Sequence, residues 1–198
     1  MAHAPRKQGR QSRAKATEAA IVEAAARILE SAGAAGLTTN HIAERAGVSI
    51  GSLYQYFPNK QAVIAALLRR EWAAMLVALQ AVADRAETPQ ARLLGFVEVA
   101  MAHQCARPAL AVQLEHIETG LDLVADATAL AHEVEAAIAE AVQAYRPEAG
   151  PMAARDVVTI CRALINEAAL REDIGPDALR PRLLRALFGY LDAQAPVV

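Results

Sequence analysis

Residues 39–57 read TNHIAERAGVSIGSLYQYF. The apolar or small positions of this stretch, Ile42, Ala43, Ala46, Gly47, Val48, Leu53 and Tyr56, have the spacing of two short helices that cross steeply. Ala43 is small enough to let the second helix approach, and Gly47 takes the turn's positive φ at little cost. Ile42, Val48 and Leu53 then close a miniature core. Thr38 or Thr39 suits the N-cap of the first helix, residues 39–46, and Ser49 suits the N-cap of the second, which ends near residue 56. This is the plan of a helix-turn-helix, whose second helix enters the DNA major groove while the first crosses the backbone. The outward side chains of Ile50, Ser52, Tyr54, Gln55 and Tyr56 are therefore candidate DNA contacts. Three of the chain's eight aromatic residues, Tyr54, Tyr56 and Phe57, fall within four positions here. A division of labour accounts for the clustering: Phe57 anchors the head to the next helix, and the tyrosine hydroxyls reach phosphate oxygens.

Working outward, Ile21, Ala24, Ala25, Ile28 and Leu29 repeat at the spacing of one buried helix face, predicting a helix over about 17–32. Asn59 is a good cap for a fourth helix that continues to about residue 85, roughly 40 Å at 1.5 Å per residue. Breakers such as Pro89, Pro108, Gly120, Pro147, Gly175 and Pro181 divide the remainder into helices at about 90–106, 109–119, 122–145, 153–171 and 178–193. No alternating strand pattern and no internal repeat appear. Alanine supplies 48 of the 198 residues, and it is the best helix former and a poor strand former. The expected fold is all-α: a three-helix head and a larger helical body. The net charge of −2 is unevenly placed. Residues 1–70 hold ten Lys/Arg against four Asp/Glu, and residues 71–198 hold ten against eighteen. A basic head facing a polyanion and an acidic body facing something else follow from that split. The expected organisation is a basic disordered arm over 1–16, a helix-turn-helix DNA-binding domain over 17–60, and a helical domain over 61–198, to which the family resemblance of the head assigns ligand binding and dimerisation.

The run LTTNHIAERAGVSIGSLYQYFPNK, residues 37–60, resembles the DNA-binding head of the TetR family of bacterial transcriptional regulators, and the flanking helices extend the likeness to about 17–70. The resemblance implies an all-helical homodimer with a ligand-binding body whose last two helices form a four-helix interface. It further implies that Thr39, Tyr54, Tyr56 and Lys60 hold phosphates, and that Ser49, Ile50, Gly51, Ser52 and Gln55 lie at or near base edges. Ile50 departs from the family's commoner polar residue at its position. Its contact with bases would be apolar, for example with a thymine methyl.

Residues 47–51, GVSIG, also satisfy G-x-S-x-G, the nucleophile elbow of α/β-hydrolases. An elbow needs a strand before the serine and an oxyanion loop upstream, whereas HIAERA reads as helix and no strands exist to build a sheet. Ser49 is better explained as a cap. The histidines His3, His41, His103, His116 and His132 form no i, i+4 pair, so no metal is expected, nor any cofactor. Cys105 and Cys161 lie in apolar runs without zinc-site spacing and read as small buried thiols. No stretch approaches the ~18 uncharged apolar residues of a membrane span. A cytoplasmic protein is expected.

In the body, a few polar or aromatic residues interrupt apolar runs: Trp72, Met75, His103, Gln104, Gln113, His116, Tyr145 and Asn166. A mostly apolar pocket with a few converging polar groups is the usual small-molecule site, and these eight are its candidate lining. Val157, Ile160, Leu164, Ile165, Leu183, Leu184, Leu187, Phe188 and Leu191 form apolar stripes that suit either the monomer core or a dimer seam. The sequence thus predicts a homodimeric repressor that binds a palindromic operator in double-stranded DNA and is released by a small-molecule effector. The alternative is an all-helical enzyme or carrier that uses the same pocket.

Overall fold

A computed structural model describes residues 6–118, 125–171 and 175–193, and these hold nine helices and no strand. They are α1 (Arg6–Gly36), α2 (Thr39–Ala46), α3 (Ile50–Tyr56), α4 (Lys60–Ala83), α5 (Pro89–Ala106), α6 (Pro108–Glu118), α7 (Ala125–Tyr145), α8 (Ala153–Leu170) and α9 (Pro176–Asp192). The all-α expectation holds, with two corrections. The segment 6–16, expected as part of a disordered arm, is the first part of α1: its Gln, Arg, Lys and Ala residues are good helix formers and no proline interrupts them. Pro181, expected near a helix start, lies inside α9. Residues 1–5 of the arm and the expected first turn of the seventh helix at 122–124 fall outside the described residues.

Two apolar cores divide the chain. The first joins α1, α2, α3, the first half of α4 and α6 around Ile21, Ile28, Leu29, Leu37, Ile42, Leu53, Val63 and Leu67, each at most 1% exposed. The second joins the end of α4 with α5, α7, α8 and α9 around Leu79, Leu93, Val142, Leu179, Leu183, Leu187 and Leu191. Leu183, Leu187 and Leu191 are buried within the protomer, while Leu184 and Phe188 on the same helix are half-buried. α6 belongs to both neighbourhoods. Leu110 and Leu114 pack in the first core, and α6 also meets α8 in the body.

α1 breaks at Gly33, where φ is 62° and ψ is −170°. Such a backbone costs glycine little and other residues much. Past the break, the Ala34 amide donates to Gln113 Oε1 of α6 at 3.2 Å, so a side chain of the body ties down the end of the first head helix. α4 and α5 are packed tightly at Gly95, where an added Cβ would stand 2.4 Å from Val82 Cγ1. Gly95→Ala is therefore expected to destabilise the chain by about 1–3 kcal/mol. Combining it with Val82→Ala should recover part of that loss, which a double-mutant cycle in urea would read.

Candidate nucleic-acid interface and interior cavity

In the head, each cap is the side chain that the local sequence supplies. Thr38 Oγ1 accepts from the His41 amide at 3.2 Å, Ser49 Oγ from the Ser52 amide at 3.0 Å, and Asn59 Oδ1 from the Ala62 amide at 2.8 Å. Between α2 and α3, Gly47 is left-handed at φ 69° and ψ 30°, and its amide and that of Val48 close the end of α2 on Glu44 and Ala43 carbonyls. Ile42, Ala43, Leu53 and Phe57 are buried, and Val48 packs beside them.

This core turns one face of α3 outward. Ile50 is 39% exposed and Tyr54 51%, with Ser49, Gly51 and Gln55 also exposed and Ser52 half-buried. The Tyr54 hydroxyl lies 3.3 Å from Thr39 Oγ1, which joins the start of α2 to the outer face of α3. Lys60 is the first residue of α4, directly after its cap. Tyr56 differs from Tyr54 in packing against the head core while half-buried. A Cβ at Gly51 would meet nothing nearer than Ser49 Oγ at 4.0 Å, so the protein itself leaves this position open. Thr39 and Tyr54 are thus brought together, while Ser49, Ile50, Gly51 and Gln55 are exposed along α3 and its cap. Ser49 has no strand before it and is committed as a cap, with its hydroxyl 2.8 Å from that of Ser52.

In the body, α4 to α9 line a cavity of about 200 Å³. Leu68, Leu79, Phe96, Val134, Ile138 and Ile165 supply much of its apolar wall. Of the eight residues expected there, Trp72, Met75, His103, Gln104 and Asn166 line it; Gln113, His116 and Tyr145 do not. Gln113 is spent on Ala34. His116 is exposed, with Nδ1 2.7 Å from the Val112 carbonyl oxygen. Tyr145 donates to Asp192 at 3.0 Å and stacks edge-on with Phe188, 5.4 Å between centroids. The sequence missed Glu71, Glu115 and Arg162, which also line the cavity. The available signal was position: Glu71 stands between Leu68 and Met75 on one helix face, and Glu115 follows Ala111 and Leu114. Cys161, another lining residue, is half-buried, and burial pushes its thiol up to about 11. Cys105, expected to be buried, is exposed. No group of acids, cysteines and histidines among the described residues could hold a metal ion, and no described helix is long and apolar enough to cross a membrane.

A chain of ion pairs runs from the cavity wall to the head. His103 Nε2 faces Glu71 Oε2 at 3.4 Å, and Arg70 grips Glu71 Oε1 from Nε at 3.0 Å and Nη2 at 2.8 Å. Arg70 Nη1 also donates to Glu23 Oε2 on α1 at 3.0 Å. The same oxygen receives Arg107 Nη1 at 3.1 Å, and Arg107 clasps Glu30 with two bonds of 2.6 and 2.7 Å. The pairing holds Glu30 below the usual carboxylate range through Arg107. At Glu23, burial acts upward, but the bonds from Arg27, Arg107 and Arg70 win and hold it low. Contact with His103 lowers Glu71 to about 2, aided by Arg70 and opposed by burial. A carboxyl depressed on folding contributes stability above its unfolded value, and that contribution is lost as pH falls toward the folded one. Glu71 should therefore contribute at most about 3 kcal/mol, present near neutrality and lost between about pH 5 and pH 2. Glu71→Gln should flatten that limb of stability against pH in urea unfolding.

The family model described as bacterial regulatory proteins, tetR family, matches residues 21–67, and that of a tetracyclin repressor-like C-terminal domain matches residues 88–191. Among solved structures, the chain resembles the fatty acid degradation regulator FadR of Bacillus halodurans, with 17% identity and a TM-score of 0.75 over 89% of this chain and 98% of that one. It also resembles the ketosteroid transcriptional regulator KstR2 of Mycobacterium tuberculosis, with 18% identity and a TM-score of 0.65 over 88% and 93% of the two chains. A tetR-family regulatory protein of Rhodococcus RHA1 gives 16% identity and a TM-score of 0.70 over 89% and 95%. No curated relative matches the chain in sequence.

Proposed function

Since the chain belongs to the tetR family of bacterial regulatory proteins and is a transcriptional regulator of that family, we propose that it acts as a cytoplasmic homodimeric repressor, released from a palindromic operator by a small molecule. The observation that carries this reading is the outer face of α3. An isoleucine, a tyrosine and a glutamine stand exposed there beside an unfilled glycine, on a head whose core is complete without them. Ile50, Gly51, Ser52 and Gln55 meet base edges, and the open space at Gly51 admits close approach of the duplex. Thr39, Tyr54 and Lys60 hold phosphates, with Ser49 at the exposed amide end of α3. Tyr56 adds its hydroxyl at the edge of the head core. The two heads of a twofold dimer match two half-sites, and the half-buried sides of α8 and α9, with Leu164, Leu184 and Phe188, form the seam.

The cavity takes the effector. Its apolar wall suits a largely apolar compound. Release requires that the ligand favour a head placement that fits DNA poorly. No catalysis is assigned to the cavity, and turnover of esters is expected to be absent in both the unaltered chain and Ser49→Ala. The test is selection of bound duplexes from a random pool across a salt series, followed by a screen for compounds that release them. Enrichment of a palindrome, with affinity falling steeply as salt rises, is expected. Equal binding of every duplex at every salt concentration would defeat the operator reading.

A further inference from the structure

The polar groups of the cavity gather where α5, α6 and α8 meet, and chemistry fixes the direction of their bonds. A carboxylate only accepts hydrogen bonds, so Asn166 turns Nδ2 toward Glu115 Oε2. That aims Asn166 Oδ1 at Gln104, whose Nε2 donates to it at 2.8 Å. The ladder therefore runs in one direction, from Gln104 through Asn166 to an anionic end at Glu115. Gln104 Oε1 and Glu115 Oε1 are left over as acceptors, and each amide keeps one further N–H.

Charge points the same way. Two carboxylates, Glu71 and Glu115, line the cavity. Glu71 stays ionised, pulled down to about 2, and its neighbour His103 turns Nε2 toward it rather than toward a ligand. Among the described lining residues the single guanidinium is Arg162, which is exposed and, like Glu115, also borders the open groove between α7 and α8. Glu71 is balanced by Arg70, whereas Glu115 makes no ion pair among the described residues, so an anionic ligand at that end of the cavity would stand beside an unbalanced carboxylate.

We infer that the cavity selects an apolar effector carrying hydroxyl or amine groups, neutral or cationic, and rejects carboxylates and phosphates, with Gln104 and Glu115 setting the preference. This rests on the assignment of the cavity as the effector site. A hydroxyl or ammonium donates to Glu115 Oε1 and Gln104 Oε1, while the spare amide N–H groups donate to a hydroxyl oxygen.

The test uses the full chain with the neutral apolar dye N-phenylnaphthylamine bound, displaced by decanol, decylamine or decanoate, three probes alike except in the head group. Decanol and decylamine are expected to displace the dye at least about tenfold more effectively than decanoate. Glu115→Gln, a near-isosteric change, should shrink the gap between decylamine and decanoate. Displacement by decanoate equal to or better than by the other two would overturn the inference and leave the cavity assignment standing. Dye uptake unaffected by Val134→Trp, which fills the cavity, would overturn the cavity assignment and the inference together. The three-probe comparison is made on the unaltered chain and so does not depend on the folding of any variant.

Discussion

Replacing Ile50 by glutamate is expected to lower operator affinity by about ten- to a hundredfold, with the specificity pattern also disturbed. The side chain opens α3, is 39% exposed, and belongs to neither core. Its removal should therefore change stability by no more than about 0.5 kcal/mol. A carboxylate in the first turn of a helix even interacts favourably with the exposed amides. With Ile50 at the bases as proposed, the carboxylate would replace an apolar contact and face the phosphates, so affinity is expected to fall while folding does not. Fluorescence anisotropy on the selected operator, paired with a urea titration, separates the two quantities. Ile50→Val, which keeps an apolar surface, should retain most of the affinity. Unchanged operator binding by the glutamate variant would remove Ile50 from the interface.

Leu183→Ala is expected to cost about 2–5 kcal/mol of folding stability, the usual loss for emptying a fully enclosed leucine site. Leu183 is 0% exposed and sits with Leu179, Leu187 and Leu191 against the body core. Its neighbour Leu184 is half-buried on the same helix. If α9 contributes to the seam of a dimer, Leu184→Ala should act differently, raising the dimer dissociation constant while costing less in the intrinsic stability of each subunit. Unfolding followed at several protein concentrations distinguishes these effects, because only a loss of association depends on concentration. A concentration-dependent defect confined to Leu183→Ala, with Leu184→Ala silent, would place the seam elsewhere.

The head was legible because its determinants are local. Thr38, Ser49 and Asn59 cap helices within three residues of themselves, and Gly47 makes its turn with a conformation few other residues adopt readily. The body was legible as helices but less so as a site. In helices rich in alanine, apolar positions occur on nearly every face, so the sequence gives little indication of which way Gln113 or Tyr145 points. Gln113 turned to the head and Tyr145 to Asp192. Glu71 and Glu115 were overlooked because charge is ordinarily a sign of solvent; their partners, Arg70 and His103 for one and Asn166 for the other, make their partial burial tolerable. Those partnerships join different helices and have no local signature. The helical start of α1 was missed for the opposite reason: a run of basic residues suggested a loose arm, although its helix-forming side chains suffice to continue α1 backward.

Trp72 is the chain's sole tryptophan. It packs against both apolar cores and also lines the cavity. The indole emission of the chain therefore originates at one known point, where three regions meet. Ligand entry should quench or shift it directly, and separation of the head from the body should redden it by admitting water. Titration of effector, with and without DNA, then yields a label-free optical record in which binding within the body and movement at its boundary with the head are followed by the same chromophore and resolved by their kinetics.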